Sequence, residues 1–148
     1  MKRLVCCILL AALIVGVLPV YATAAETESI YLSDGSYITV RVYDHGTRAS
    51  GTVKGGKEYT HYDNDGFVNW MAVLNGTFTY NGSSATCTDS SVSITIYDSS
   101  WYTISKSASK SSNKATGSAT LGQKASGVTV ARVPVSLSLE CDADGNLS

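Results

Sequence analysis

Little in this chain is suited to chemistry. Its 148 residues hold two histidines, His45 and His61, with two prolines and two methionines. Charged residues make up 16%, against about a quarter in an ordinary globular chain. Eleven basic residues stand against 12 acids, so no basic excess marks a nucleic-acid surface. No Cys-x-x-Cys occurs, and two histidines are too few for the usual zinc patterns. No Gly-x-Ser-x-Gly elbow presents a serine nucleophile. No facing pair of acids suggests glycoside cleavage. A 3.6-residue apolar period is missing from every ten-residue window, which argues against amphipathic helices. Composition therefore points away from metal, nucleophilic and nucleic-acid functions and implies no cofactor.

What is present starts with the N-terminus, MKRLVCCILLAALIVGVLPVYATAAETES. Lys2 and Arg3 give a positive start, Leu4 to Leu18 an apolar run, and Pro19 ends it. Ala22-Thr23-Ala24 supplies the small-x-small pattern of a signal-peptidase site. The run is about 15 residues, short of the roughly 20 that span a bilayer. The alternative is an uncleaved anchor; the small-residue site and the acids Glu26 and Glu28 favour cleavage. Cys6 and Cys7 lie at the start of the run, a poor fit to a lipoprotein site. The expectation is a signal peptide over 1–24, a helix removed on export, and one domain over 25–148. The mature chain loses two of its 11 basic residues and none of its 12 acids, for a formal charge of −3. It is secreted or held at the cell surface, with no further apolar run long enough for a membrane helix.

Cleavage also removes two of the four cysteines. Cys87 and Cys141 remain, and an exported chain with one pair of cysteines is expected to form one disulfide. On the chain-entropy model a loop of this length contributes about 4 kcal/mol. A metal pair or a reactive thiol is the rival reading, with no supporting motif.

The rest of the sequence alternates. SIYLS, Asp34-Gly35 and SYITVRVYD form a hairpin signal. Ile38, Val40 and Val42 would face the core, with Tyr37, Thr39, Arg41 and Tyr43 outside. Residues 44–57 are polar and Gly-rich, expected as loop with at most a short strand. Asn64-Asp65-Gly66, Asn75-Gly76 and Asn81-Gly82 are each expected to turn the chain. Val92, Ile94 and Ile96 share a face. Residues 105–118 are rich in Ser and Lys, either a flexible linker or, by preference, a hairpin turning at Asn113. In GVTVARVPVSLSLECD, parity changes between Val130 and Val133, which predicts a bulge near Arg132 to Pro134; Pro134 suits an edge strand. About 8–10 short strands imply an all-β, antiparallel β-sandwich or open barrel.

Four features bear on function. Asp63 and Asp65, and again Asp142 and Asp144, precede a glycine in Asp-x-Asp-Gly, as at the start of a calcium loop. Neither copy has the twelfth-position Glu or helical flanks, and tight turns explain both. Asn75, Asn81 and Asn146 begin glycosylation sequons, two of them coinciding with the Asn-Gly turns. Trp70, Phe67 and Phe78 are expected in the core. Trp101, Tyr102, Tyr97 and Tyr43 are the candidates for exposed rings that stack on a ligand, cross-strand stabilisation being the preferred reading.

The segment FTYNGSSATCTDSSVSITIYDSSWYTISKSASKSSNKATGSATLG and the ending VSLSLECDADGNLS resemble a family of small secreted proteins of Gram-positive, largely gut-dwelling Firmicutes, an uncharacterised domain of unknown function. The likeness covers about residues 77–148 and implies bacterial export and a two-cysteine β domain, without an activity. The leading expectation is a non-enzymatic module binding glycan, cell-wall material or another surface protein. A structural protein pairing through edge strands is the second, and a divergent hydrolase built on His45 or His61 the third.

Overall fold

Alternating apolar residues and β-branched side chains become strands wherever one face can be buried. The computed structural model describes residues 27–45 and 51–148; the expected signal peptide lies outside the described residues. Eight strands follow in order: β1 (Thr27–Tyr31), β2 (Tyr37–Asp44), β3 (Thr52–Tyr62), β4 (Val68–Tyr80), β5 (Ala85–Ile96), β6 (Trp101–Ser111), β7 (Lys114–Ala125) and β8 (Val128–Glu140). They form two antiparallel sheets, β1-β2-β3-β4-β5 and β6-β7-β8. The expected all-β sandwich is the observed architecture. Ile38, Val40, Trp70, Leu74 and Phe78 from the first sheet meet Leu121, Val135, Leu137 and Leu139 from the second in one core, and Cys87 and Cys141 belong to it.

Strand ends are set by turn chemistry. The same five-residue loop occurs three times, at 32–36, 63–67 and 142–146. In each, the first amide donates to the fifth carbonyl and the fourth amide to the first carbonyl, at 2.8–3.2 Å. The fourth residue is always glycine, Gly35, Gly66 or Gly145, at φ +88°, +84° and +87°. That left-handed conformation is open to glycine at little cost. The Ser/Lys-rich 105–118 is the β6–β7 hairpin turning at Ser112–Asn113, as preferred. Asn81 also turns the chain, accepting the Ser83 and Ser84 amides at 3.0 and 2.9 Å.

Three expectations need correction. Asn75-Gly76 is no turn: both lie inside β4, with Gly76 opposite Gly55. The glycine is needed because a Cβ there would meet the Phe78 ring at 2.6 Å. Residues 52–57, expected as loop, belong to β3, since Gly55 gives way to Leu147 and the backbone of β2. The predicted bulge lies earlier in β8, where Gln123 pairs with Ala131 but Lys124 with Thr129. Val130 is the extra residue, which explains the parity change and leaves Val128 and Val130 65% and 58% exposed. Pro134 does lie on an edge strand.

Candidate functional site

The strands place chemistry at opposite ends of the sandwich. At one end the 32–36 and 63–67 loops stand beside the starts of β4 and β6. Between them opens a cleft of about 360 Å³, the lower part of the range of small-ligand sites. Its floor is His61, 3% exposed. The imidazole stacks on Trp70 with centroids 5.0 Å apart and planes at 9°, and meets Trp101 at 5.2 Å. Asp34, Asp63 and Asp65 stand in the walls, with the amides of Asn64 and Gln123.

Hydrogen bonds fix what these groups offer. Asn69 Nδ2 donates to His61 Nδ1 at 3.1 Å, so the neutral ring carries its proton on Nε2. No hydrogen bond from a described residue reaches Nε2. Burial holds the imidazole below its ordinary pKa, and the charges of Asp34 and Asp63 oppose that only in part. Asp34 Oδ1 accepts the Ser36 hydroxyl at 2.6 Å and its amide at 3.1 Å, and those bonds hold its carboxyl below the usual range. Asp63 Oδ1 accepts the Asp65 and Phe67 amides at 3.0 and 2.8 Å. In both carboxylates the turn draws on Oδ1, and no hydrogen bond from a described residue engages Oδ2. Below, the indole Nε1 atoms of Trp70 and Trp101 are buried without hydrogen-bond partners.

A histidine, acids and a serine thus meet, the set a hydrolase would need. The bonds do not join them into a nucleophile and base: the buried Ser36 hydroxyl donates to Asp34, and Asn69 occupies the inner nitrogen of His61. His45 lies at the far end, edge-on to Tyr43 at 5.3 Å.

The candidate stacking aromatics do not assemble. Trp101 is 7% exposed and part of the core, because β6 begins over the His61–Trp70 stack. Tyr43 sits over Gly56 at the other end. Tyr102 bonds its hydroxyl to Thr129 at 2.6 Å and carries Lys124 over its ring, and Tyr97 alone of the four is 58% exposed. Phe67, expected inside, is 71% exposed at the end of the 63–67 loop. The rings that do meet are the exposed Tyr31 and the half-buried Tyr37 and Tyr62, a cross-strand ladder with centroids 5.6 and 4.7 Å apart. The calcium candidates Asp63 and Asp142 are turn caps, and among the described residues no three His, Cys, Asp or Glu converge as a metal site.

At the opposite end the β6–β7 turn is inserted between the two cysteines. The Cys87 amide donates to Ser112 O at 2.7 Å and the Cys141 amide to Asn113 O at 3.0 Å. The structure holds both as thiols, Cys87 Sγ directed at Asp89 O and Cys141 Sγ at Asp142 O, at 3.3 and 3.4 Å. Burial pushes the Cys87 thiol pKa up.

Sequence reasoning missed the cleft. Asp34, Asp63 and His61 were each visible, but only the pairing of β2 with β3, Ile38 opposite His61, brings their loops together. No family model and no curated protein matches the chain. A crystal structure of a hypothetical protein from Listeria monocytogenes EGD-e aligns over 83% of this chain and 91% of its own, at 16% identity and a TM-score of 0.47.

Proposed function

We propose that this chain is an exported, non-enzymatic β-sandwich that binds a hydroxyl-rich ligand of the glycan class in the cleft over His61. One observation carries the reading: His61, whose Nε2–H no described residue engages, lines one cleft with Asp34 and Asp63, whose turns draw on Oδ1 alone. A group that accepts from the imidazole and donates to carboxylates meets both demands, and a hydroxyl does so. The planar amides of Asn64 and Gln123 extend the same logic to neighbouring hydroxyls. The test is retention of the exported form, residues 25–148, on peptidoglycan, mucin and insoluble polysaccharides, beside Asp34→Asn/Asp63→Asn. Asparagine can keep each turn cap while removing the charge. Retention by the native chain and loss in the folded variant is the expected result; no retention on any of them overturns the reading.

Edge pairing is the second reading. Lys106 and Lys110 on β6 and Pro134 on β8 guard the second sheet's edges. On the first sheet, β1 is exposed along its whole length, with Ile30 41% and Tyr31 75% exposed. A concentration-dependent dimer lost in Ile30→Lys would favour it.

Export also governs the cysteines. A compartment that oxidises thiols would join Cys87 and Cys141, whose amides already bind successive carbonyls of one turn.

A further inference from the structure

We infer that the ligand of this cleft carries a protonated amine beside its hydroxyls, so that a de-N-acetylated amino sugar is preferred over its N-acetylated form. The inference rests on the glycan reading above and adds the sign of the ligand's charge. Three carboxylates, Asp34, Asp63 and Asp65, line the cleft, and among the described residues no Lys or Arg does. The one group there able to offset them, His61, is 97% buried, and its inner nitrogen is engaged as an acceptor by Asn69. A neutral imidazole leaves the acids uncompensated. The carboxylates also have capacity left, because each turn draws on Oδ1 alone in Asp34 and Asp63. An ammonium has three N–H donors and no acceptor, which suits two open carboxylate oxygens. A neighbouring ring hydroxyl then takes the His61 Nε2–H. Clefts lined by one sign of charge concentrate ligands of the other sign, so phosphate- or carboxylate-bearing glycans are disfavoured here.

The experiment is titration calorimetry of the exported form with a chito-oligosaccharide and its de-N-acetylated counterpart of equal length. It is run at mildly acidic pH, where a sugar amine is protonated, at low and at physiological salt. Three proteins are compared: the native chain, Asp34→Asn/Asp63→Asn, and Asp89→Asn, an exposed acid near Cys87 at the opposite end. The expected result is about tenfold tighter binding of the amine form. That preference shrinks as salt rises, disappears in the double variant and survives in Asp89→Asn. Equal affinity for the two sugars overturns the amine inference and leaves the glycan reading standing. A preference that survives the double variant overturns the placement of the amine in this cleft. No binding of either sugar, with no retention on the polysaccharides above, overturns both readings.

Discussion

The 63–67 and 142–146 loops are the same device put to two uses. Each starts with Asp, has Gly at the fourth position, and accepts two amides on the Asp Oδ1 at 2.8–3.0 Å. They diverge at the fifth residue. In the second loop Asn146 Nδ2 donates to Asp142 Oδ2 at 2.8 Å, so both carboxylate oxygens are spent on the turn. In the first the fifth residue is Phe67, turned to solvent, and Asp63 Oδ2 stays open. They also differ in what lies beneath. Gly145 rests on the Tyr80 ring, closing the end that holds Cys87 and Cys141. Beside the 63–67 loop lies the cleft with His61 at its floor. A turn motif therefore says how the chain reverses; its last residue and its neighbours decide whether a carboxylate remains for a ligand.

The contrast is most strongly tested by oxidation. Purified from an oxidising compartment, the chain is expected to show an intact mass lower by two hydrogens, with the bond between Cys87 and Cys141. Reduction then removes about 4 kcal/mol, or about 15 °C of Tm for a domain of this size, without touching cleft binding. An unchanged mass, or a Tm insensitive to reductant, would remove the covalent difference between the two ends.

Next in size is the paired substitution Gly145→Ala and Gly66→Ala. Both impose a side chain on a left-handed residue, which costs about 1–2 kcal/mol. At Gly145 the new Cβ would also lie 2.6 Å from Tyr80 Cζ, whereas at Gly66 the nearest atom is the Tyr37 hydroxyl at 3.9 Å. Displacing that ring adds about 1–3 kcal/mol, so chemical denaturation should rank Gly145→Ala well below Gly66→Ala. Equal losses would mean that the second loop is no more tightly seated than the first. Asp63→Asn and Asp142→Asn sharpen the functional half. Asn can retain the Oδ1 cap in each, so both should fold. Affinity for the cleft's ligand is expected to fall about tenfold in Asp63→Asn alone.

Much of the fold was legible because it depends on local signals. Asp34-Gly35, Asp65-Gly66 and Asn81 mark real turns, and the parities of Ile38 and Val40 and of Leu137 and Leu139 give the core faces. Asn75-Gly76 misled because glycine serves two ends: it permits positive φ, and it lets another side chain approach the backbone, here Phe78. Trp101 misled because a tryptophan after a Ser-Ser turn looks exposed until the two sheets are packed. The cleft was hidden for a different reason. His61 and Trp101 are 40 positions apart and belong to different sheets, and nothing local records that β6 begins above β3. The Asp-x-Asp-Gly motif was read as a turn, but which copy keeps an oxygen in reserve depended on comparing Phe67 with Asn146.

The smallest expected effect separates the two ends by pH. His61 is buried at the cleft end, and burial lowers its pKa in the folded chain; unfolded, it titrates near the ordinary value of about 6.5. Between the folded value and about 6.5 the unfolded chain holds the extra proton, so stability is complete above about 6.5 and declines as pH falls below it. The Asp34 and Asp142 carboxyls are shifted down by their turn bonds. What they add is present above the unfolded value of about 3.9 and is lost only as pH falls through the lower folded ones. Denaturation midpoints at pH 7.5, 5.5 and 3 should therefore show two declines, the first from the cleft end alone and the second from loops at both ends. His61→Phe keeps a ring on Trp70 but leaves the Asn69 amide without its acceptor, so it should cost stability at every pH while flattening the first decline. His45, exposed at the opposite end, is untouched by that change. A first decline that persists in His61→Phe would move the sensitivity away from the cleft, and with it the argument that a buried, neutral imidazole forms its floor.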